Sequence, residues 1–188
     1  MIERIAGGGP DGLVTLAVVS DTHGDQTVFS RFTEAGNKPP DALIHLGDMG
    51  TTAWVEAAAR VLPVLSVAGN SDFSRAAAPV CRVFQAGDLR FACVHGHLQQ
   101  VKQGLGALAR LADACEADAV LFGHTHRYFS DIAFTPSGRR ILLLNPGSAH
   151  GFGIQAGAGF VRLSIQGRRI SIQRIVASVV FHRDFDLS

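Results

Sequence analysis

Short apolar runs recur along the chain and alternate with segments of helical periodicity. One run, LVTLAVVS (Leu13–Ser20), is continuous and rich in β-branched residues, as expected of a strand buried on both faces. ALIHLG (Ala42–Gly47) and VLSVAG (Val64–Gly69) predict a second and a third strand. Helical patterns lie between them, over Thr27–Ala35 with Asp25 as the N-cap, and through TAWVEAAARV. This alternation predicts parallel βαβ units.

From Val80 onward the pattern becomes typical of hairpins. The segment CRVFQAGDLRFACVHG contains two strand-like runs separated by Gly87–Asp88, which predicts a β-hairpin. A helix is predicted next, because apolar residues three or four apart share one face: Val101, Leu105, Leu108, Leu111 and Cys115. AVLFG predicts another buried strand, and two further hairpins are predicted around TPSG and QGRR. The whole pattern favours a mixed α/β domain with two sheets covered by helices.

The length and composition of the chain predict one well-buried core, since 47% of its 188 residues are hydrophobic. The Gly/Pro-containing start predicts a flexible segment over residues 1–12, followed by a single domain over residues 13–188. No segment resembles a signal peptide or reaches the roughly 18 apolar residues of a membrane span. Three cysteines without a CxxC pair indicate a reducing compartment, so the expected location is cytoplasmic.

The charge balance argues against a polyanionic partner. Charged residues make up 18% of the chain and the formal net charge is +1, which gives no electrostatic reason to expect a nucleic-acid surface or an anionic membrane surface. We therefore expect neither nucleic acid nor membrane among the partners.

Every apolar strand in the first two-thirds of the chain ends on a potential metal ligand. The strand ends are SDTHG (Asp21, His23), LGDMG (Asp48), AGNSD (Asn70), VHGH (His95, His97) and GHTH (His124, His126). Ligands of α/β sheets bind at the carboxyl ends of strands, and residues two apart on an extended segment point the same way. Each motif alone is weak. Together, three carboxylate or amide oxygens and four imidazoles suit two ions of borderline hardness, such as manganese, iron or zinc.

In this order, the motifs DxHG, GDxG, GNxD, HGH and GHTH resemble those of the calcineurin-like metallophosphoesterases. The later NPGS (Asn145–Ser148) and the small size resemble the compact bacterial and archaeal phosphodiesterase branch. The resemblance implies a four-layer αββα sandwich of two mixed β-sheets flanked by helices. It further implies a two-metal site whose residues, by position, fall into three groups: Asp21, His23 and His126 on one ion, Asn70, His95 and His124 on the other, and Asp48 bridging both.

The resemblance implies a dinuclear metal-dependent phosphodiesterase that acts on a small phosphodiester or phosphate ester. Two divalent ions can share a hydroxide as nucleophile and clamp a phosphate for in-line attack. Asp48 and Asn70 are the expected catalytic ligands, and Asn70 is also expected to contact substrate. Thr51 stands where purple acid phosphatases carry a tyrosine, so a divalent pair is expected, Mn²⁺ first, with Zn²⁺, Fe²⁺ and Ni²⁺ as alternatives.

Ser71 departs from the pattern of the family, in much of which a histidine follows the asparagine and helps to protonate the leaving group. A serine hydroxyl does not serve as an acid near pH 7, so the chain is expected to favour leaving groups that depart without a proton.

His97 is the candidate replacement acid or phosphate contact; the alternative is a histidine that supports the loop. Arg127 is the candidate phosphate contact, with a surface salt bridge as the alternative. His45 is interpreted as a core or supporting histidine.

Two other functions stay open on the sequence alone. A phosphomonoesterase or nucleotide phosphatase differs only in substrate. A non-catalytic, retromer-type protein-binding scaffold shares the fold, but such relatives typically lose metal-site histidines that this chain keeps. A nuclease is disfavoured by the charge balance and by the lack of room for a DNA-binding cap domain. Exposed hairpin edges near the C-terminus make pairing into a homo-oligomer a further hypothesis.

Overall fold

The structure, a computed structural model, describes residues 2–8, 12–25, 27, 39–51, 53–72, 78–151, 157–176 and 179–188. Two helices occur in these ranges, α1 Ala53–Ala59 and α2 Gly106–Ala114. The strands of the same ranges are β1 Glu3–Ile5, β2 Val14–Val19, β3 Ala42–His45, β4 Val64–Ser66, β5 Cys81–Ala86, β6 Leu89–Val94, β7 Ala119–Leu121, β8 Tyr128–Phe134, β9 Arg140–Pro146, β10 Gly159–Gln166, β11 Arg169–Val176 and β12 Val179–Asp186. Apart from Thr27, the helix predicted over Thr27–Ala35 lies outside the described residues.

The strands form two mixed sheets of six. Sheet 1 has the order β12-β11-β10-β2-β3-β4, and sheet 2 has the order β1-β5-β6-β7-β9-β8. The predicted parallel units are present, since β2, β3 and β4 pair in parallel in sheet 1. In sheet 2, β7 pairs in parallel with both β6 and β9.

Three apolar clusters arrange these sheets and helices into four layers. The largest cluster lies between the sheets and joins Leu16 of β2 to Phe91 of β6, both fully buried. A second cluster packs α1 through Ala58 against the outer face of sheet 1, and a third packs α2 through Leu108 against sheet 2. Full burial of a leucine such as Leu108 contributes roughly 1.5–3 kcal/mol. The αββα sandwich expected from the resemblance is therefore confirmed.

The predicted hairpin at Gly87–Asp88 is confirmed. Ala86 pairs with Leu89, so the loop has two residues, and Gly87 has a φ of +57°. Two-residue hairpin loops need a positive φ, which glycine adopts without a steric cost.

Two strands were not predicted by the hydrophobic pattern. β1 lies within the segment expected to be flexible, yet it pairs in parallel with β5 and buries Ile5. β12 pairs antiparallel with β11 and buries Phe185 near its end. Each strand contributes a single buried apolar residue, which is too few to give a period-two signal.

Three predicted strands end earlier than expected, at His45, Ser66 and Leu121. Sheet-like bonds nevertheless continue, because Val67 N donates to His45 O at 3.0 Å and Gly123 N donates to His95 O at 2.9 Å. The apolar runs therefore extend as ordered chain into the loops that carry the polar motifs. Among the helices in the described ranges, none has the length and apolar content to cross a bilayer.

Candidate metal centre

The carboxyl ends of the parallel strands of both sheets meet at one end of the sandwich. Within sheet 1, Asp21 N donates to Gly47 O at 3.0 Å, which joins the loops after β2 and β3. Between the sheets, His124 N donates to Asp21 Oδ2 at 3.1 Å, which joins the loop after β7 to the loop after β2. Side chains far apart in sequence are thereby brought within contact distance.

Two clusters of side chains have the spacing of a metal site. Asp21, His23 and His126 offer ligand atoms within 4.8 Å of one another, and the same holds for Asp21, Asp48 and His95. His126 Nε2 lies 3.1 Å from Asp21 Oδ1, and His95 Nε2 lies 3.5 Å from Asp48 Oδ2. The first cluster is the ligand group that the resemblance implied for one ion.

The remaining two predicted ligands lie beside the second cluster. Asn70 Oδ1 is 3.1 Å from His95 Nε2, and the His124 ring centroid is 5.1 Å from that of His95. All seven predicted metal ligands are thus brought together. Asp21, however, belongs to both clusters of described residues, whereas Asp48 belongs to one, so a bridging role for Asp48 stays a prediction.

The environment of Asp21 fits a bound cation. The side chain is fully buried, and Oδ2 accepts hydrogen bonds from Ser20 Oγ at 2.5 Å and from His124 N. Oδ1 has no hydrogen-bond partner of acceptable geometry among the described residues, although His126 lies close to it. Burial opposes ionisation, but the nearby imidazole of His126 and the hydrogen bond from Ser20 outweigh burial and lower the pKa of Asp21. A buried, ionised and unsatisfied oxygen is costly unless a cation or donor compensates it.

The ring of His95 is oriented as a ligand. Nδ1–H donates to Leu46 O at 2.7 Å, and this fixes the tautomer and turns Nε2 toward the carboxylates. Burial opposes protonation of the ring, but the hydrogen bond with Asp48 and the charge of Asp21 outweigh burial and raise its pKa. Nε2 therefore occupies a position that favours positive charge, whether a proton or a metal ion.

Asp48 is held by Ser71 through both of its oxygens. Ser71 N donates to Oδ1 at 2.8 Å and Ser71 Oγ donates to Oδ2 at 2.9 Å. Burial opposes ionisation of Asp48, but the hydrogen bonds from His95 and Ser71 outweigh it and hold the pKa below its usual value. The hydroxyl of Ser71 therefore positions a predicted ligand.

Asp72 ties the loop after β4 to the loop after β3. Its carboxylate accepts hydrogen bonds from the backbone N–H groups of Asp48, Met49 and Gly69, each at 2.7 Å. Asp72 therefore closes the turn and holds the two loops together.

The predicted ligands have an unusual backbone conformation. Seven non-glycine residues in the described ranges have positive φ, and five of them are predicted ligands: Asp21, His23, Asp48, His124 and His126. The prediction that ligands two apart share a direction assumed extended segments, and this assumption is wrong for both pairs. The left-handed conformation carries a steric cost and persists where the surrounding structure fixes it, as at functional sites.

Two motif glycines allow the strand ends to approach closely. A Cβ on Gly69 would lie 2.1 Å from Asp48 Oδ1, and a Cβ on Gly123 would lie 1.9 Å from Ser20 Oγ. The glycines of the GN and GH motifs are therefore required by contact with the Asp48 and Asp21 loops.

The NPGS motif holds the backbone of two loops that carry predicted ligands. Asn145 is fully buried; its Nδ2 donates to Gly123 O at 2.8 Å and its Oδ1 accepts from Gly147 N at 2.9 Å. Ser148 Oγ donates to Asp21 O at 2.9 Å. The sequence gives the NPGS motif no role at the centre, and no spacing distinguishes Ser20 from an ordinary loop serine.

His97 lies on the His95 and His124 side of the centre, with ring centroids 5.3 and 6.2 Å from theirs. Its Nδ1 is buried without a partner among the described residues. Burial and the neighbouring His95 lower its pKa.

Arg127 is exposed and forms no ion pair within the described part of the chain, so the alternative of a surface salt bridge finds no support there.

His45 is a buried supporting residue. Gly47 N donates to its Nδ1 at 3.1 Å, and its Nε2 lies 3.0 Å from Thr22 Oγ1. Burial lowers the pKa of His45 to about 4, which keeps the ring neutral. His150, to which the sequence assigned no role, places its ring centroid 5.9 Å from that of His23.

Comparison with known proteins agrees with this geometry. The family model described as the calcineurin-like phosphoesterase superfamily domain matches residues 14–168. Among curated proteins, the probable metallophosphoesterase YsnB of Bacillus subtilis (strain 168) is 29% identical over 135 residues, covering 72% of this chain and 75% of that protein.

Solved structures share the fold. A conserved uncharacterized protein of Streptococcus pneumoniae TIGR4, described as a predicted phosphoesterase, has a TM-score of 0.72 and 24% identity, covering 93% of this chain and 98% of that one. Wild-type Vps29 of Entamoeba histolytica, complexed with Zn²⁺, has a TM-score of 0.68 and 20% identity, covering 93% of this chain and 100% of that one. At these identities the likeness concerns the fold alone.

Proposed function

Because the chain belongs to the calcineurin-like phosphoesterase superfamily, we propose that it is a metal-dependent phosphodiesterase with a dinuclear centre. The observation that supports this proposal is the convergence of the seven predicted ligand residues at one end of the sandwich. Five of them form the two clusters that share the buried Asp21, and Asn70 and His124 lie beside His95. When bound, a pair of divalent ions supplies Lewis-acid activation of water and of the phosphate.

The residues of the chain would divide the work by position. Asp21, His23 and His126 would hold one ion, and Asn70, His95 and His124 would hold the other. Asp48 would bridge them, with both of its oxygens oriented by Ser71. Asn70 contributes a neutral amide oxygen and so leaves the site positive enough to attract an anionic ester.

The surroundings of the centre favour a substrate with a good leaving group. The hydroxyl of Ser71 is engaged with Asp48, and the carboxylate of Asp72 accepts backbone hydrogen bonds, so neither side chain is free to protonate a leaving group. His97 lies beside His95 and would donate a proton or contact phosphate. Arg127 follows the ligand His126 and would contact a phosphate oxygen. A phosphomonoesterase or nucleotide phosphatase is the alternative within the same chemistry.

The likeness to Vps29 keeps a protein-binding scaffold as a second candidate. The complete set of metal ligands argues against a scaffold, which does not need them.

The cytoplasmic location remains part of the proposal, and the free cysteines Cys81, Cys93 and Cys115 support it. Pairing of two copies along the exposed edge strand β12 also remains a proposal.

Stripping the protein with a chelator and restoring single metals tests the enzymatic proposal. The metal-free protein should be inactive, and Mn²⁺, tried beside Zn²⁺, Fe²⁺ and Ni²⁺, should restore hydrolysis. Aryl phosphodiesters should be cleaved with a higher kcat/KM than aryl phosphomonoesters. Equal turnover with and without metal would refute the metal-dependent proposal, and metal binding without turnover of any ester would favour the scaffold.

Counting bound metal in variants tests the ligand assignment. Asp48→Ala should lose both ions, because a bridging carboxylate serves both, whereas Asn70→Ala should weaken one. Asp184→Ala, which removes an exposed carboxylate on β12, is the control. Two ions per chain in Asp48→Ala would show that Asp48 is not the bridge, and Asp21 would then be the residue to test.

A further inference from the structure

A cavity of about 420 Å³ adjoins the centre at His126. Its lining includes His126, Arg127, Tyr128, Ser148, His150 and Arg174. His126 is shared with the proposed metal site, so a phosphoester held there has this cavity beside it.

Arg174 occupies an unexpected position in the sheet. Along β11, Ile170 and Ile172 point into the core between the sheets, and Arg174 is the next residue on the same face. At the end of the sandwich, a guanidinium therefore takes the place of an apolar side chain. This break in the apolar alternation is the sequence signal that identifies it.

The guanidinium is fixed in place yet incompletely hydrogen-bonded. Its carbon lies 4.5 Å from the centroid of the Tyr128 ring, and Nη2 donates to Gly157 O at 3.2 Å. Nε is buried and has no hydrogen-bond partner in the described ranges. A buried donor without a partner is unfavourable, and an oxyanion is the ligand that matches the planar donor edge of an arginine.

The charges around the cavity favour an anion. Arg127 and Arg174 both line it, and its described lining contains no aspartate or glutamate. Since both arginines face the same space, a group with negative oxygens is favoured there over a neutral or cationic one.

We propose that this cavity is a substrate subsite that binds a second anionic group, a phosphate or carboxylate, on the arm of the ester that does not react. Arg174 is the residue that selects for it. The proposal rests on the proposed phosphodiesterase function and names the substrate class: phosphodiesters with one negatively charged arm.

Three para-nitrophenyl phosphodiesters test this, with an ethyl group, a carboxylate-bearing group or a phosphate-bearing group on the second alcohol. Wild-type protein should hydrolyse the two substrates with charged arms with a higher kcat/KM than the ethyl substrate. Comparing the carboxylate-bearing substrate with the phosphate-bearing one shows which oxyanion fits the cavity. Arg174→Gln should lower kcat/KM for the preferred charged substrate about 10- to 100-fold, mainly through KM. The ethyl substrate should change less than about twofold, and Arg174→Lys should restore part of the preference.

Arg183→Gln is the matched control, because Arg183 also lies over an aromatic ring, that of Phe185 at 4.8 Å, but does not line the cavity. Arg183→Gln should leave the preference for charged substrates over the ethyl substrate unchanged. Absence of a preference in wild-type protein, or an equal loss for charged and ethyl substrates in Arg174→Gln, overturns the subsite and leaves the phosphodiesterase proposal intact.

Calorimetric titration of the metal-free protein gives a readout that does not depend on hydrolysis. Wild-type protein should bind the phosphate-bearing substrate more tightly than Arg174→Gln does, even if no ester is hydrolysed. Equal binding by both proteins refutes the subsite, whereas failure of every metal-loaded sample to hydrolyse any diester refutes the phosphodiesterase function.

Discussion

A single side chain, Ser71, links the ligand geometry to the expected chemistry. The sequence indicates only that an acid is missing at this position. The structure adds that the Ser71 hydroxyl donates to Asp48 Oδ2 at 2.9 Å, so the same residue positions a predicted ligand. Replacing Ser71 therefore has two effects, loss of this hydrogen bond and gain of any new group, and a test must separate them.

We predict that Ser71→His accelerates hydrolysis of alkyl diesters relative to Ser71→Ala. Both variants lose the hydroxyl, so their ratio isolates the effect of the new ring. The ratio should reach up to about 100-fold for an alkyl diester, since general acids contribute about 10²–10⁴-fold, and should stay near unity for an aryl diester whose phenolate leaves unprotonated. Steady-state kinetics on both substrates measures it.

His97 provides the competing explanation. If it already acts as the acid, His97→Ala should slow the alkyl substrate selectively, and the ratio of the Ser71 variants should be near unity for both substrates. Similar rates on both substrates in the native protein, unaffected by any of these changes, would show that protonation is not limiting.

At the scale of elements, the loops after β3 and β4 behave as one unit because Asp72 joins them. Its carboxylate accepts backbone hydrogen bonds from Asp48 and Met49 on one loop and from Gly69 on the other. The positions of Asp48 and Asn70 relative to each other therefore depend on a residue that does not itself line the ligand cluster.

We predict that Asp72→Asn weakens metal binding without removing a ligand. The amide has one acceptor fewer and turns an N–H₂ group toward backbone donors. Metal affinity should fall about 10- to 100-fold, as for other residues that orient ligands, and the free energy of unfolding of the metal-free protein should fall by roughly 1–3 kcal/mol. Calorimetry and chemical denaturation measure the two effects.

Asp25→Asn is the control for Asp72→Asn, because Asp25 also accepts backbone hydrogen bonds, from Thr27 and Gly151, but in a different pair of loops. It should change metal affinity less. Unchanged affinity in Asp72→Asn would show that the two loops hold their positions independently.

At the scale of the whole molecule, stability should depend on pH through the buried His45. Its pKa in the folded protein is about 4, below the usual value of 6.5, because burial disfavours the charged ring. The unfolded chain therefore takes up the proton first as pH falls. The corresponding stability is fully present above pH 6.5 and is lost as pH falls toward 4, with a magnitude on the order of 3 kcal/mol.

Chemical denaturation of metal-free protein between these pH values measures this dependence. His45→Gln should be less stable at neutral pH but should lose less stability on acidification than the wild type. His182→Gln, which removes an exposed histidine on β12, should follow the wild-type curve. Parallel pH curves for wild-type protein and His45→Gln would exclude His45 as the source.

The sequence by itself determined the class of fold and the identity of the candidate ligands. β2, β3 and β7 are visible as apolar runs because their residues are buried on both faces, and each run stops at the motif that carries the ligands. Parallel strands align their carboxyl ends, so local patterns were sufficient to place Asp21, Asp48 and His124 together.

Only the tertiary structure decided which ligand residues belong to which cluster and which neighbouring residues hold them in position. Asp21 joins both clusters, Ser71 holds Asp48, and Arg174 opens onto a cavity beside His126. These relations depend on contacts between two sheets and on left-handed backbone at the ligands themselves. Neither is encoded by apolar periodicity, because periodicity reports which face of a strand is buried and not which distant loop lies against its end.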